Sequence, residues 1–196
     1  MIIKEEGSTF QNAPTGNHVA RCYSIVDMGV QVGSYQGVPN RAHKVQISWE
    51  LPTEKMNDGR VFSVQRIFTA SLHEKAGLRA VLESWRGKPF SAEELHGFNI
   101  SKLLGAPCMV NVTLNDNGKT KVSAISPVPK GLEVPPQVNK SVHFDLSHYD
   151  EDVFQGLGKW IKGEIMKSET YTRALSKEDK FETSGSMADL ESDLPF

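Results

Sequence analysis

Cysteine is scarce in this chain. Cys22 and Cys108 are the two present, and neither belongs to a CxxC pair or a Cys/His cluster. That spacing lacks the signature of a zinc site. Both thiols fall in apolar, strand-like runs, where a reduced and buried cysteine is expected. Long apolar runs are missing too. No stretch reaches the roughly 18 residues a membrane helix needs, and Met1 to Asn12 lacks the apolar stretch of a signal peptide. A cytoplasmic protein with no membrane contact is expected. Catalytic signatures are also absent. The six histidines, His18, His43, His73, His96, His143 and His148, show no HExxH spacing. No phosphate-binding Walker loop, GxSxG or paired-carboxylate motif occurs. The expectation is a non-enzyme without a cofactor or metal.

Hydrophobic residues make up 38% of the chain, less than a fully packed globule uses. Part of the chain is therefore expected to lie outside any core. The net charge of −2 is unevenly spread. Residues 1–131 carry 15 Lys and Arg against 11 Asp and Glu, a net of +4. Residues 132–196 carry 7 against 13, a net of −6. A mildly basic front and an acidic back suggest different partners.

Residues 1–16 are polar and read as a loose arm. His18 to Met28 reads as a strand. Gly29, Gly33, Gly37 and Pro39 mark residues 29–42 as a loop. Lys44 to Leu51 alternates: Val45, Ile47, Trp49 and Leu51 on one face, Lys44, Gln46, Ser48 and Glu50 on the other. That pattern predicts a half-buried strand. Asp58-Gly59 is a hairpin signal, and Val61 to Ala70 reads as a third strand. Leu78, Val81, Leu82 and Trp85 recur at helical spacing within His73–Trp85, ended by Gly87. Ser91 and Glu94 form a capping box for a second helical piece. Pro107–Leu114 and Lys119–Val128 read as strands four and five, joined by a tight turn at Asn115 to Gly118.

This order predicts a mainly β fold. Five strands with a helix between the third and fourth match the Greek-key barrel known as the OB-fold. The expected division is an arm over 1–16, the barrel over 17–131, a linker with an amphipathic helix over 132–175, and an acidic mobile tail over 176–196. The helix expectation rests on Val153, Phe154, Leu157, Trp160, Ile161, Ile165 and Met166, weakened by Gly156, Gly158 and Gly163.

Such barrels can hold single strands by lining a groove with cations and with rings on which bases stack; OB-folds that bind single-stranded DNA are the type case of that mechanism. The candidate cations are Arg21, Arg41, Lys44, Arg60, Arg66, Lys119 and Lys121. The candidate rings are Tyr23, Tyr35, Trp49, Phe62 and Phe68. Trp49 sits on the apolar face of its strand and is expected in the core. Phe62 and Phe68 fit either role, while Tyr35 in the Gly-rich loop fits a binding role. Arg41, Lys44 and Arg66 also fit a merely solvated face. Asp145, Asp150, Glu151 and Asp152 could hold a metal in a small nuclease, but their place before a helix suits caps and dipole partners better.

The last residues alternate acids with apolar groups: Asp189, Leu190, Glu191, Ser192, Asp193, Leu194, Pro195, Phe196. This segment resembles the C-terminal tip of bacterial single-stranded-DNA-binding proteins. The segments YSIVDMG, KVQISWELP, FTASLHEKAGLRAVLESWRGKPF and ISPVPKG resemble phage-encoded single-stranded-DNA-binding proteins of OB-fold type. The resemblance covers roughly residues 18–131. It implies binding of single-stranded DNA during replication, recombination or repair in the cytoplasm of an infected bacterial cell. It also implies recruitment of replication or recombination proteins through Asp189, Glu191, Asp193, Leu194, Pro195 and Phe196. The oligomeric state is left open, a homo-oligomer included. An OB-like module that binds only protein is the alternative, with a metal-dependent nuclease as a further one.

Overall fold

The computed structural model describes residues 11–35 and 37–173, with Tyr35 described by its backbone alone. The fold is mainly β. Its strands are β1 (Gly16–Tyr35), β2 (Val38–Lys55), β3 (Val61–Thr69), β4 (Pro107–Leu114), β5 (Thr120–Ser126) and β6 (Val142–Phe144). They form one antiparallel sheet in the order β3-β2-β1-β4-β5, and β6 pairs with β1 off that path. The path is open, with β3 and β5 at its ends. These two end strands approach each other, and a helix, α1 (Gly77–Arg86), touches both. The other helices are short: α2 (Ala92–His96), α3 (Glu151–Gly156) and α4 (Lys159–Met166). Single 3-10 turns lie at Ile100–Leu103 and Leu146–His148.

The chain divides into two compact units. Among the described residues, unit 1 takes 11–25 and Gln46–Val142, and unit 2 takes Val26–Val45 and residues 143–173. Residues 132–142, expected as linker, thus pack within unit 1.

In unit 1 the alternation of β4 is realised. Cys108, Val110 and Val112 are buried, and β1 pairs with this strand in the register Ala20↔Cys108 and His18↔Val110. Both cysteines are free and buried. Leu78, Leu82 and Trp85 give α1 a buried stripe. Each such side chain contributes roughly 1.5–3 kcal/mol by leaving water. Gly87 ends the helix at φ 66, a left-handed conformation that glycine adopts without strain. Trp85 donates its indole N–H to Pro107 O at 2.9 Å and lies 5.8 Å from the Trp49 ring. Trp49 is therefore a core residue, and its ring is fully buried. The capping box opens α2: Ser91 Oγ accepts from Glu94 N–H, and the Glu94 carboxylate accepts from Ser91 N–H. The Ser91 N–H, followed by the Arg86 guanidinium, holds the Glu94 carboxyl below its ordinary range.

Strand β2 differs from expectation. Every residue from Val45 to Leu51 is buried, so the strand is covered on both faces. On the polar face, Gln46 donates to Gln65 and Glu50 is capped by residues 138–139. The Glu50 carboxylate, wholly buried, accepts from the backbone N–H of Val138 and of Asn139 and from the Asn139 side chain, each at 2.7 Å. Arg21 ties the same region down, donating to Pro135 O and Gly105 O. A second correction concerns residues 29–42. The glycines there do not open a loop. β1 runs on to Tyr35 and β2 starts at Val38, so ladder pairing overrides the turn signals, and Gly37 at φ 79 makes the reversal.

Unit 2 is built on that hairpin segment. Val26, Met28, Gly29 and Val45 are buried, as are Phe144, Leu146, Phe154, Leu157, Ile161, Ile165 and Ser168. Gly29 adopts φ 69 against Ser168. The expected long helix is instead two short ones, because Leu157 and Gly158 leave helical geometry between α3 and α4. A further helical stretch occupies residues 169–173. Among the described residues no helix is long and apolar enough to cross a membrane.

Candidate nucleic-acid interface

β3 is an end strand of the sheet path, and its residues between Val64 and Phe68 are not buried. Three consecutive residues, Gln65, Arg66 and Ile67, line a shallow cleft of about 430 Å³ in unit 1. Thr120, Lys121 and Val122 of β5 line its other side, with Asn115 from the turn before β5. That turn is fixed locally. Asn115 Oδ1 accepts from the backbone N–H of Asn117 and of Lys119, and Asn115 N–H donates to Lys119 O at 2.8 Å. The turn exposes Lys119 and starts β5 in the register Leu114↔Thr120 and Thr113↔Lys121.

Lys121 is exposed, whereas its neighbour Val122 is buried, as strand alternation requires. Arg66 is half-buried, and its guanidinium lies 5.0 Å from the centre of the Phe68 ring. That contact rests the guanidinium head on the ring as a cation–π pair. Gln65 accepts a hydrogen bond from the buried Gln46 side chain. Ile67 is 39% exposed. The cleft therefore brings together two cations, an amide and an apolar edge, and its cations suit an anionic ligand. No aromatic ring lines it.

The structure distributes the other candidates differently. Phe68 is buried at 5% exposure, so its ring belongs to the core. The reason is a phase change in β3, where burial falls on Val61, then Val64, then Phe68. Phe62 and Tyr23 are half-buried. Arg21 is committed to two backbone carbonyls. Arg60 chelates Asp58 within its own turn. Arg41 and Lys44 belong to unit 2, where Arg41 pairs with Glu169. The ring of Tyr35 and the tail residues Asp189, Glu191, Asp193, Leu194, Pro195 and Phe196 lie outside the described residues. Of the twelve candidate cations and rings, Arg66 and Lys121 meet in one cleft, with Lys119 on the adjoining turn.

Sequence reasoning missed Gln65, Ile67, Asn115 and Thr120. The polar face of strand three, with Ser63, Gln65 and Thr69, was the available signal. Of the four acids considered as metal ligands, Asp145, Asp150 and Glu151 have structural partners. Asp145 accepts from Ser147 N–H and Asp150 accepts from Val153 N–H, each opening a helical turn. Glu151 accepts from the Tyr149 hydroxyl and from Gln155. Among the described residues no group of three or more His, Cys, Asp or Glu is placed to hold a metal. No protein-family model matches the chain, and no curated protein matches it.

Proposed function

We propose that this chain binds single-stranded DNA without marked sequence preference, through an OB-type barrel in unit 1. The observation that carries the reading is the cleft that joins Arg66 of β3 to Lys121 of β5. Three features support it. The sheet order β3-β2-β1-β4-β5 and the approach of β3 to β5 suit a barrel of this type. The helix between β3 and β4 suits it as well. The turn between β4 and β5 borders the cleft, and OB-folds use that loop for oligonucleotides. The lysines and arginine neutralise phosphates and release counterions, so affinity falls with salt. The chain acts without catalysis, in replication or recombination of phage DNA, and its acidic segment 187–196 recruits partner proteins.

The test is a titration of fluorescent oligothymidylate at several salt concentrations, beside a duplex of equal length. Tight, salt-sensitive binding of the single strand alone is expected. Equal or absent binding of both would overturn the reading. A protein-binding module is the second reading. It is favoured by an apolar cleft of about 200 Å³ lined by Leu72, Leu78, Leu82, Phe98 and Ile100.

A further inference from the structure

Unit 2 contains a second cleft, of about 370 Å³, with different chemistry. Tyr149, Phe154 and Tyr171 supply rings, and Lys159 and Lys162 supply charge. The rings pack on one another: Phe154 and Tyr171 are stacked at 5.8 Å, and Tyr149 lies 5.6 Å from Phe154. Tyr149 is still 44% exposed, so part of its ring faces solvent. Its hydroxyl donates to Glu151 Oε2 at 2.6 Å, which fixes the ring in place. Lys162 is fixed as well. Its ammonium donates to the main-chain and side-chain oxygens of Gln155 at 3.2 and 3.3 Å. An ammonium carries three donors, so one remains for a ligand. The acids nearby are engaged, Glu151 by Tyr149 and Gln155, Asp150 by the N-terminus of α3.

Gly163 gives an independent observation. It sits inside α4, where glycine is a poor residue, and its φ is not in the left-handed region. A Cβ built there meets nothing within 4 Å. Neither backbone conformation nor packing calls for glycine at this position. Gly163 lines the cleft, so a side chain there would enter its open space.

We infer that this cleft is a second binding site for single-stranded nucleic acid, taking a base against Tyr149 and its phosphate on Lys159 and Lys162. The inference rests on the DNA-binding reading proposed above, and adds to it the ring that the β3–β5 cleft lacks. Stacking on an exposed ring beside cations is tolerant of base identity.

The decisive variant is Gly163→Leu in the full chain. Leucine is a good helix former, so α4 is preserved and the melting temperature is expected to stay or rise, while the side chain fills the cleft. Affinity for fluorescent oligothymidylate is expected to fall at least about fivefold, with a similar loss in Tyr149→Ala. A bromodeoxyuridine-substituted oligonucleotide should cross-link to Tyr149 or Tyr171 on irradiation. Unchanged affinity in both variants, with Arg66→Glu still impaired, would overturn the second site and leave the β3–β5 cleft standing. Loss of affinity in Gly163→Leu with none in Arg66→Glu would sustain this site and overturn the other. No oligonucleotide binding by the wild-type chain would overturn both. If Gly163→Leu instead releases a synthetic peptide of residues 187–196 and keeps the oligonucleotide, the cleft takes acidic peptide and the proposal fails.

Discussion

The Glu50 carboxylate on β2 accepts the backbone N–H of Asn139 at 2.7 Å, across 89 residues of chain. All three of its partners are N–H groups of residues 138 and 139, and the side chain has no exposure. Glu50→Ala would leave the Val138 and Asn139 backbone donors without their charged acceptor and open a gap in the buried polar face of β2. Hydrogen bonds to charged groups are the costly ones to lose, so a destabilisation on the order of 3 kcal/mol is expected. Urea denaturation measures it, and limited proteolysis should cut sooner within residues 136–141. Glu50→Gln, which keeps one acceptor, should lose less.

That hydrogen bond also marks a limit of sequence patterning. Lys44, Gln46, Ser48 and Glu50 alternate with apolar residues as a solvent-facing set does. The cover of Glu50 comes from a segment almost ninety residues away, which no local period encodes. β4 was legible because its cover is simple: Cys108, Val110 and Val112 face one core. The capping box at Ser91 and Glu94 was legible because its chemistry is complete within four residues. The hairpin beyond Met28 was not, since Gly29, Gly33 and Pro39 punctuate locally while pairing continues. The cleft was half legible. Arg66 and Lys121 could be named as cations, but their meeting depends on β3 and β5 approaching from opposite ends of the sheet path.

Replacing both Arg66 and Lys121 by alanine should weaken oligothymidylate binding about equally for all sequences. A phosphate deprived of its cation should reduce the slope of log K against log salt by about 0.7, so the double variant should lose roughly 1.4. An unaltered slope would remove both side chains from the interface. Circular dichroism should remain that of wild type, since Lys121 is exposed and Arg66 is half-buried.

Gly29→Ala should be among the most damaging small substitutions. The residue holds φ +69, and a Cβ there would lie 2.5 Å from Ser168 Oγ and 2.9 Å from Leu146 Cδ1. Backbone strain and overpacking act together, each of roughly 1–3 kcal/mol. Thermal denaturation should show a loss of about 2 kcal/mol or more. Ser168→Ala should not restore it fully, because the Ser168 Cβ is itself only 2.8 Å from the added atom. Gly37→Ala, also at positive φ but in open space, should cost less.

His43 should make stability depend on pH. Its hydrogen bond with Asp27 raises the imidazole above its ordinary value, and burial opposes this only in part. A raised folded value means the stabilisation is fully present below the unfolded value of about 6.5 and is lost as pH rises through the folded value. The side chain is 48% exposed, so solvent screening limits the effect to a few tenths of a kcal/mol. The urea midpoint should fall slightly between about pH 6 and about pH 9, and His43→Asn should flatten that profile.

Among the described residues, unit 2 is assembled from two stretches, Val26–Val45 and residues 143–173. On the ribosome its first part emerges almost a hundred residues before its second. At about 5–20 residues per second, that is a delay of roughly 5–20 s. Throughout it the buried Val26 and Met28 lack the second stretch of their unit, which carries the buried Phe144, Leu146 and Ile165. The hairpin then waits for the rest of its unit to be translated. This interval is when a chaperone has most to hold, and slower codons between residues 46 and 142 would lengthen it.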